Sequence, residues 1–238
     1  MLKRFASTAG ALACLSLPMT AMADGILYQN DFEAQSVGTE WSSFTRLESH
    51  ENFTRFNGRY AYNDGVTLFL DAPPDRGGDS DNGNGGGNNG GGGGGGGGNQ
   101  YNLYTLNFDL YIIDTWDGNG TPGPDALEVR IGANPIFHET FTNLSWMTQS
   151  FRSPDVGPTP LGYDPLWGDS IYRDIAVDFT LPENANQIVL TWQSLGLQRL
   201  DDESWGFDNV SVSYRTVPAP ASLVPLAGLL GLGRRRRR

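Results

Sequence analysis

The chain contains one cysteine, Cys14, and one lysine, Lys3; every other basic side chain is arginine. It has two histidines, His50 and His138, and neither a G-x-S-x-G nor an E-x-D-x-x-E motif. A lone cysteine excludes a disulfide scaffold, and two histidines without further thiols cannot assemble a zinc site. Without the elbow motif there is no serine triad, and the carboxylate pattern of sandwich glycosidases is missing too. Four acids, Glu139, Asp201, Asp202 and Glu203, remain as carboxylates for a polysaccharide hydrolase. That would need one of two facing carboxylates to carry a raised pKa.

Basic charge is also scarce in the body. Seven of the 16 basic residues lie at the two ends, and all 27 acids lie between them. Residues 24–217 therefore hold nine basic residues against 27 acids, a formal charge of −18. Such a surface repels nucleic acid and anionic membrane, and favours divalent cations.

The N-terminus reads as a secretory signal peptide over residues 1–23. Lys3 and Arg4 precede a small apolar run from Phe5 to Leu17, and Ala21-Met22-Ala23 is a small-x-small cleavage box. Cys14 lacks the branched residue three places upstream that a lipoprotein signal requires. Cleavage after Ala23 removes the only thiol.

Within 24–215, the segment Gly77–Gln100 carries 15 of the 32 glycines and no apolar side chain. Nothing there offsets the entropy of ordering backbone, so a disordered loop inside one domain is expected. Around it the pattern is one of strands. Tyr104, Leu106, Phe108, Leu110 and Ile112 alternate with polar residues, as do Leu127, Val129 and Ile131. Ile188, Leu190 and Trp192 share a face, and so do Val210, Val212 and Tyr214. Val66–Leu70 and Ile175–Phe179 add short strands, and no amphipathic helix intervenes. These features predict an all-β protein, a single antiparallel β-sandwich.

Two short motifs bear on that fold: Gln29-Asn30-Asp31-Phe32-Glu33 and Trp205-Gly206-Phe207-Asp208-Asn209-Val210. Together they resemble the first and last strands of carbohydrate-binding and lectin-like jelly rolls. The resemblance implies that the two strands are neighbours and share a structural calcium ion. Asp208 has the parity of Val210, so its carboxylate is expected to face inward, where it needs a metal or hydrogen-bond partner. The metal set would be Asp208, Glu33 and Asp31; otherwise Asp208 binds backbone amides at a turn. A second acidic loop, Ile112–Asp125, offers Asp114, Asp117, Asn119 and Asp125 to a hard cation or forms a solvated hairpin. Pro122 occupies the position where an EF-hand loop needs glycine. Trp116 and Trp167, in loops rich in Gly, Pro and Asp, either stack on a sugar face or cover the end of the sandwich.

Residues 216–238 form a tail in three parts: Val217-Pro218-Ala219-Pro220-Ala221-Ser222, apolar Leu223–Gly233, then Arg234, Arg235, Arg236, Arg237 and Arg238. The prolines end the sheet pattern. The arginines would stay cytoplasmic by the positive-inside rule and halt export. This arrangement resembles the PEP-CTERM sorting signal that exosortases recognise in Gram-negative bacteria. The resemblance implies export and a temporary inner-membrane anchor, then processing at the Val217–Pro220 box by an exosortase-type enzyme. Delivery to the cell surface or an exopolysaccharide matrix would follow. Ala219 stands where that motif has glutamate. An apolar helix from Val217 would reach about 25 Å, short of a hydrocarbon core of about 30 Å. The expected role is non-catalytic, structural or glycan-associating; the rivals are a surface polysaccharide hydrolase and an inert spacer.

Overall fold

A computed structural model describes residues 25–73, 100–182 and 185–218. Residues 1–24, which include the expected signal peptide, the glycine-rich insert short of Gln100, and the tail from Ala219 onward lie outside the described residues. Eleven strands follow in order: β1 Gly25–Asn30, β2 Leu47–His50, β3 Phe53–Tyr60, β4 Gly65–Asp71, β5 Gln100–Asp114 and β6 Ala126–Ile131, then β7 Asn134–Thr140, β8 Val156–Thr159, β9 Asp169–Phe179, β10 Gln187–Leu195 and β11 Glu203–Pro218.

They build two antiparallel sheets. One runs β2-β3-β11-β5-β9-β8, with β1 also paired to β11, and the other runs β4-β10-β6-β7. Among the described residues there is no helix. The alternating faces read in the sequence meet in one apolar core. Leu106, Phe108, Leu110 and Val212 come from the first sheet, and Leu68, Val129, Leu190 and Trp192 from the second. This is the layout of a β-sandwich. At its centre the Trp192 ring stacks on Phe207 with centroids 4.9 Å apart, and Trp41 packs against both. Each such buried side chain stabilises the fold by about 1.5–3 kcal/mol.

The first and last strands are neighbours, with Asn30 opposite Val210. The expected parity of Asp208, however, is reversed. Asp208 pairs with Asp109, but the next pairing is Ser211 with Asn107, so β11 holds one extra residue. Asn209 sits in that bulge at φ 51°. An inserted residue switches alternation to the opposite face. Trp205 and Phe207 therefore join Val210 and Val212 in the main core, while Asp208 faces the other side of the sheet. There a second apolar layer of Phe53, Phe56, Tyr111, Ile113, Leu161 and Ile171 covers the sheet.

β11 also extends further than the sequence pattern indicates. Val217 pairs with Tyr101 and Pro218 with Gln100, so the sheet includes the first two residues of the Val217–Pro220 box. A proline is tolerated there because it is the last paired residue of the strand. At the other side of the insert, Asn102 Nδ2 donates to Pro73 O at 3.4 Å. The residues flanking the insert, Pro73 and Asn102, are thus neighbours.

Candidate metal centre and surface pocket

Strand register builds the acidic centre. β11 begins with Glu203 directly opposite Asp114, the last residue of β5. The loop after β5 is therefore anchored to the start of β11. Thr115 N donates to Asp202 O at 3.0 Å, and Trp116 Nε1 donates to Ser204 O at 2.9 Å. The loop returns at Asp125, whose amide donates to Gly118 O at 2.9 Å and whose carboxylate Oδ2 accepts the Asp117 amide. The β10–β11 connection closes over it at Gly196, φ 85°, where a Cβ would lie 2.2 Å from Pro124 O.

The result brings carboxylate oxygens of Asp117, Asp125 and Glu203 within 4.8 Å of one another. Asp125 and Glu203 are fully buried, and Asp117 reaches the surface in part. Glu203 accepts from Gln198 N at 2.6 Å and from Gln198 Nε2 at 3.1 Å. Asp125 Oδ1 is buried and has no hydrogen-bond partner. Burial, followed by the neighbouring negative charges, pushes the Asp125 carboxyl up to about 8 and raises Glu203 and Asp117 as well.

The sequence-predicted set is arranged differently. Asp208 accepts from Thr54 Oγ1 and Tyr111 OH, both at 2.9 Å, and from the Asn209 amide at 2.7 Å. Asp31 Oδ1 accepts the Glu33 amide, and Glu33 Oε1 accepts the Arg55 amide, each at 3.2 Å on the surface. Among the described residues, Asp117, Asp125 and Glu203 form the one such carboxylate group, and Asp31, Glu33 and Asp208 do not gather. Of the second predicted set, Asp117 and Asp125 do meet. Asp114 instead pairs with Arg59 at 2.7 Å, and Asn119 Oδ1 accepts from Thr140 Oγ1.

The two tryptophans also divide. Trp116 is fully buried against Phe141, so its ring has no face left for a sugar. Trp167 is 41% exposed, beside Leu166 at 82%. The four acids considered for hydrolysis have separate surroundings: Asp201 is exposed beside Arg199, Asp202 Oδ1 accepts from Thr115 Oγ1, Glu139 accepts from Ser150 Oγ, and Glu203 is fully buried.

A pocket the sequence did not signal lies elsewhere. Phe44, Arg46, Tyr60, Asn63, Asp64 and Gly65 line a shallow hollow of about 210 Å³. Phe44 is 70% exposed, and the buried Tyr60 forms part of the wall under the Arg46 guanidinium, 5.6 Å from the ring centroid. Arg46 Nη1 and Asp64 Oδ2 stand 3.8 Å apart. Tyr62, 55% exposed, holds φ 54°, a conformation bulky residues rarely adopt.

No family model and no curated protein matches the chain. Two solved structures share limited likeness. Dimeric latent PorU from Porphyromonas gingivalis matches 88% of this chain at 12% identity with a TM-score of 0.39. The match spans only 16% of PorU. A Stig cyclase, Fisc from Fischerella sp. TAU, matches 86% of this chain and 92% of its own at 14% identity, TM-score 0.26. Neither likeness is close enough to carry a fold or a function across.

Proposed function

We propose that this protein is an exported, non-catalytic module of the cell surface or extracellular matrix that associates with polysaccharide. The signal peptide of residues 1–23 and the tripartite tail support export, temporary anchoring in the inner membrane of a Gram-negative cell, and processing by an exosortase-type enzyme. The first two residues of the 217–222 box, Val217 and Pro218, are the last paired residues of β11.

The body is proposed to be a jelly roll. Setting aside β1, β2 and β8, the sheets read β3-β11-β5-β9 and β4-β10-β6-β7. Apart from the β6–β7 pair, successive strands alternate between the two sheets, as they do when two Greek keys wrap together.

The observation that carries the molecular role is the Phe44 pocket. A sugar ring offers an apolar C–H face and a rim of hydroxyls. An exposed aromatic beside Arg, Asn and Asp side chains supplies both complements at the surface. The hydrolase reading has less support, because two of the three carboxylates that gather among the described residues, Asp125 and Glu203, are fully buried. The test is retardation of the protein in gels containing bacterial exopolysaccharides, with chain cleavage followed on the same polymers. Retardation that Phe44→Ala and Arg46→Ala both weaken, without cleavage, is the expected result. Cleavage that depends on a carboxylate, or retardation indifferent to both substitutions, contradicts it.

A further inference from the structure

We infer that Asp117, Asp125 and Glu203 form an internal binding site for a hard divalent cation of the calcium type. The site is distinct from the Asp208 position and independent of the polysaccharide reading.

Three observations converge. First, strand register and the anchored β5–β6 loop bring oxygens of three carboxylates within 4.8 Å of one another. Second, Asp125 is 1% exposed and its Oδ1 has no hydrogen-bond partner, although a buried acceptor is ordinarily satisfied. The charges that act on the Asp125 carboxylate are those of Glu203 and Asp117. Third, no arginine or histidine pairs with any of the three among the described residues. The contrast with Asp114 is direct, since that buried acid has Arg59 at 2.7 Å.

Unbalanced carboxylates at this separation repel strongly in a low-dielectric interior, and a divalent cation removes that penalty. Donors that are all oxygen favour calcium or magnesium over softer metals. Calcium takes six to eight oxygens in flexible geometry, so water or loop carbonyls would complete the three carboxylates. Asp117, the least buried of the three, gives the ion a way in. The competing arrangement is a shared proton between Asp125 and Glu203, which leaves the group neutral enough without metal.

Trp116 immediately precedes Asp117 and makes the site optically addressable. The test is terbium luminescence of the full-length protein excited through tryptophan, combined with thermal unfolding in chelator, calcium or magnesium. Expected are saturable terbium emission displaced by calcium and a Tm raised by calcium over chelator. Asp125→Asn and Glu203→Gln should weaken terbium binding by more than about tenfold and abolish the Tm response. Asp201→Asn, an exposed acid on the adjoining turn, should leave both readings unchanged. Absence of saturable emission, or of any Tm response to calcium and magnesium in the unsubstituted protein, overturns the site. So does emission unaltered in Asp125→Asn or lost in Asp201→Asn.

Discussion

The Tyr111 hydroxyl donates to Asp208 Oδ2 at 2.9 Å, on the face of the sheet turned away from Val210. With Thr54 and the Asn209 amide completing the set, the Asp208 carboxylate is held by protein donors. Burial nevertheless raises its pKa. Tyr111→Phe should destabilise the protein by about 1–2 kcal/mol and Asp208→Ala by about 1–3 kcal/mol. The double variant should cost less than the sum, because both remove one interaction. Urea unfolding measures this, and strictly additive losses would contradict the pairing.

Stability should depend on pH through Asp114. Burial pushes its carboxyl from 3.8 up to about 6, despite the Arg59 guanidinium. Between those values the folded chain holds a proton that the unfolded chain has released, so stability falls as pH rises through the window. Asp114→Asn removes this contribution. The advantage of the unsubstituted protein over the variant should therefore shrink by up to about 3 kcal/mol between pH 4 and pH 7. Urea midpoints at the two pH values measure it, and an advantage that grows instead contradicts the burial effect.

Gly196 is required by close approach as well as by conformation. Any Cβ there would meet Pro124 O at 2.2 Å, at a φ of 85°. Gly196→Ala should lower stability by about 1–3 kcal/mol and displace the Asp125 backbone next to it. Loss of terbium binding with the fold retained by circular dichroism would follow from the same shift. An alanine variant as stable as the original contradicts the contact.

The loop tryptophans should behave oppositely. Trp116→Ala removes a fully buried ring and its hydrogen bond to Ser204 O, costing about 3–5 kcal/mol. Trp167→Ala should stay within about 0.5 kcal/mol, as surface changes do. Thermal unfolding separates them.

These contrasts show what local pattern can and cannot convey. The strand β10 and the stretches of β5 around Leu106 and of β11 around Val212 are legible because one face is buried and the other partly exposed, so apolar residues recur at every second position. β3 is not, because its Phe53 and Phe56 join the second apolar layer while Tyr60 faces the main core, so both faces are covered. Asp208 misleads because a single inserted residue at Asn209 shifts the alternation, and no residue before it signals the bulge. Asp117 and Asp125 are recognisable as an acidic loop. Their third partner is not, because Glu203 arrives through the pairing of β11 with β5, a contact set by the whole sheet. The Phe44 pocket likewise joins the β1–β2 and β3–β4 connections, which no short motif links.

Delivery to the cell surface is the central claim, and mass spectrometry of both termini tests it most directly. The protein should be recovered from the surface or matrix of the cell that produces it. The reading predicts an N-terminus at Asp24 and a C-terminus that lacks Arg234–Arg238, cut within or next to Val217–Ser222. A surface-localised protein that still begins at Met1 or ends at Arg238 would contradict it.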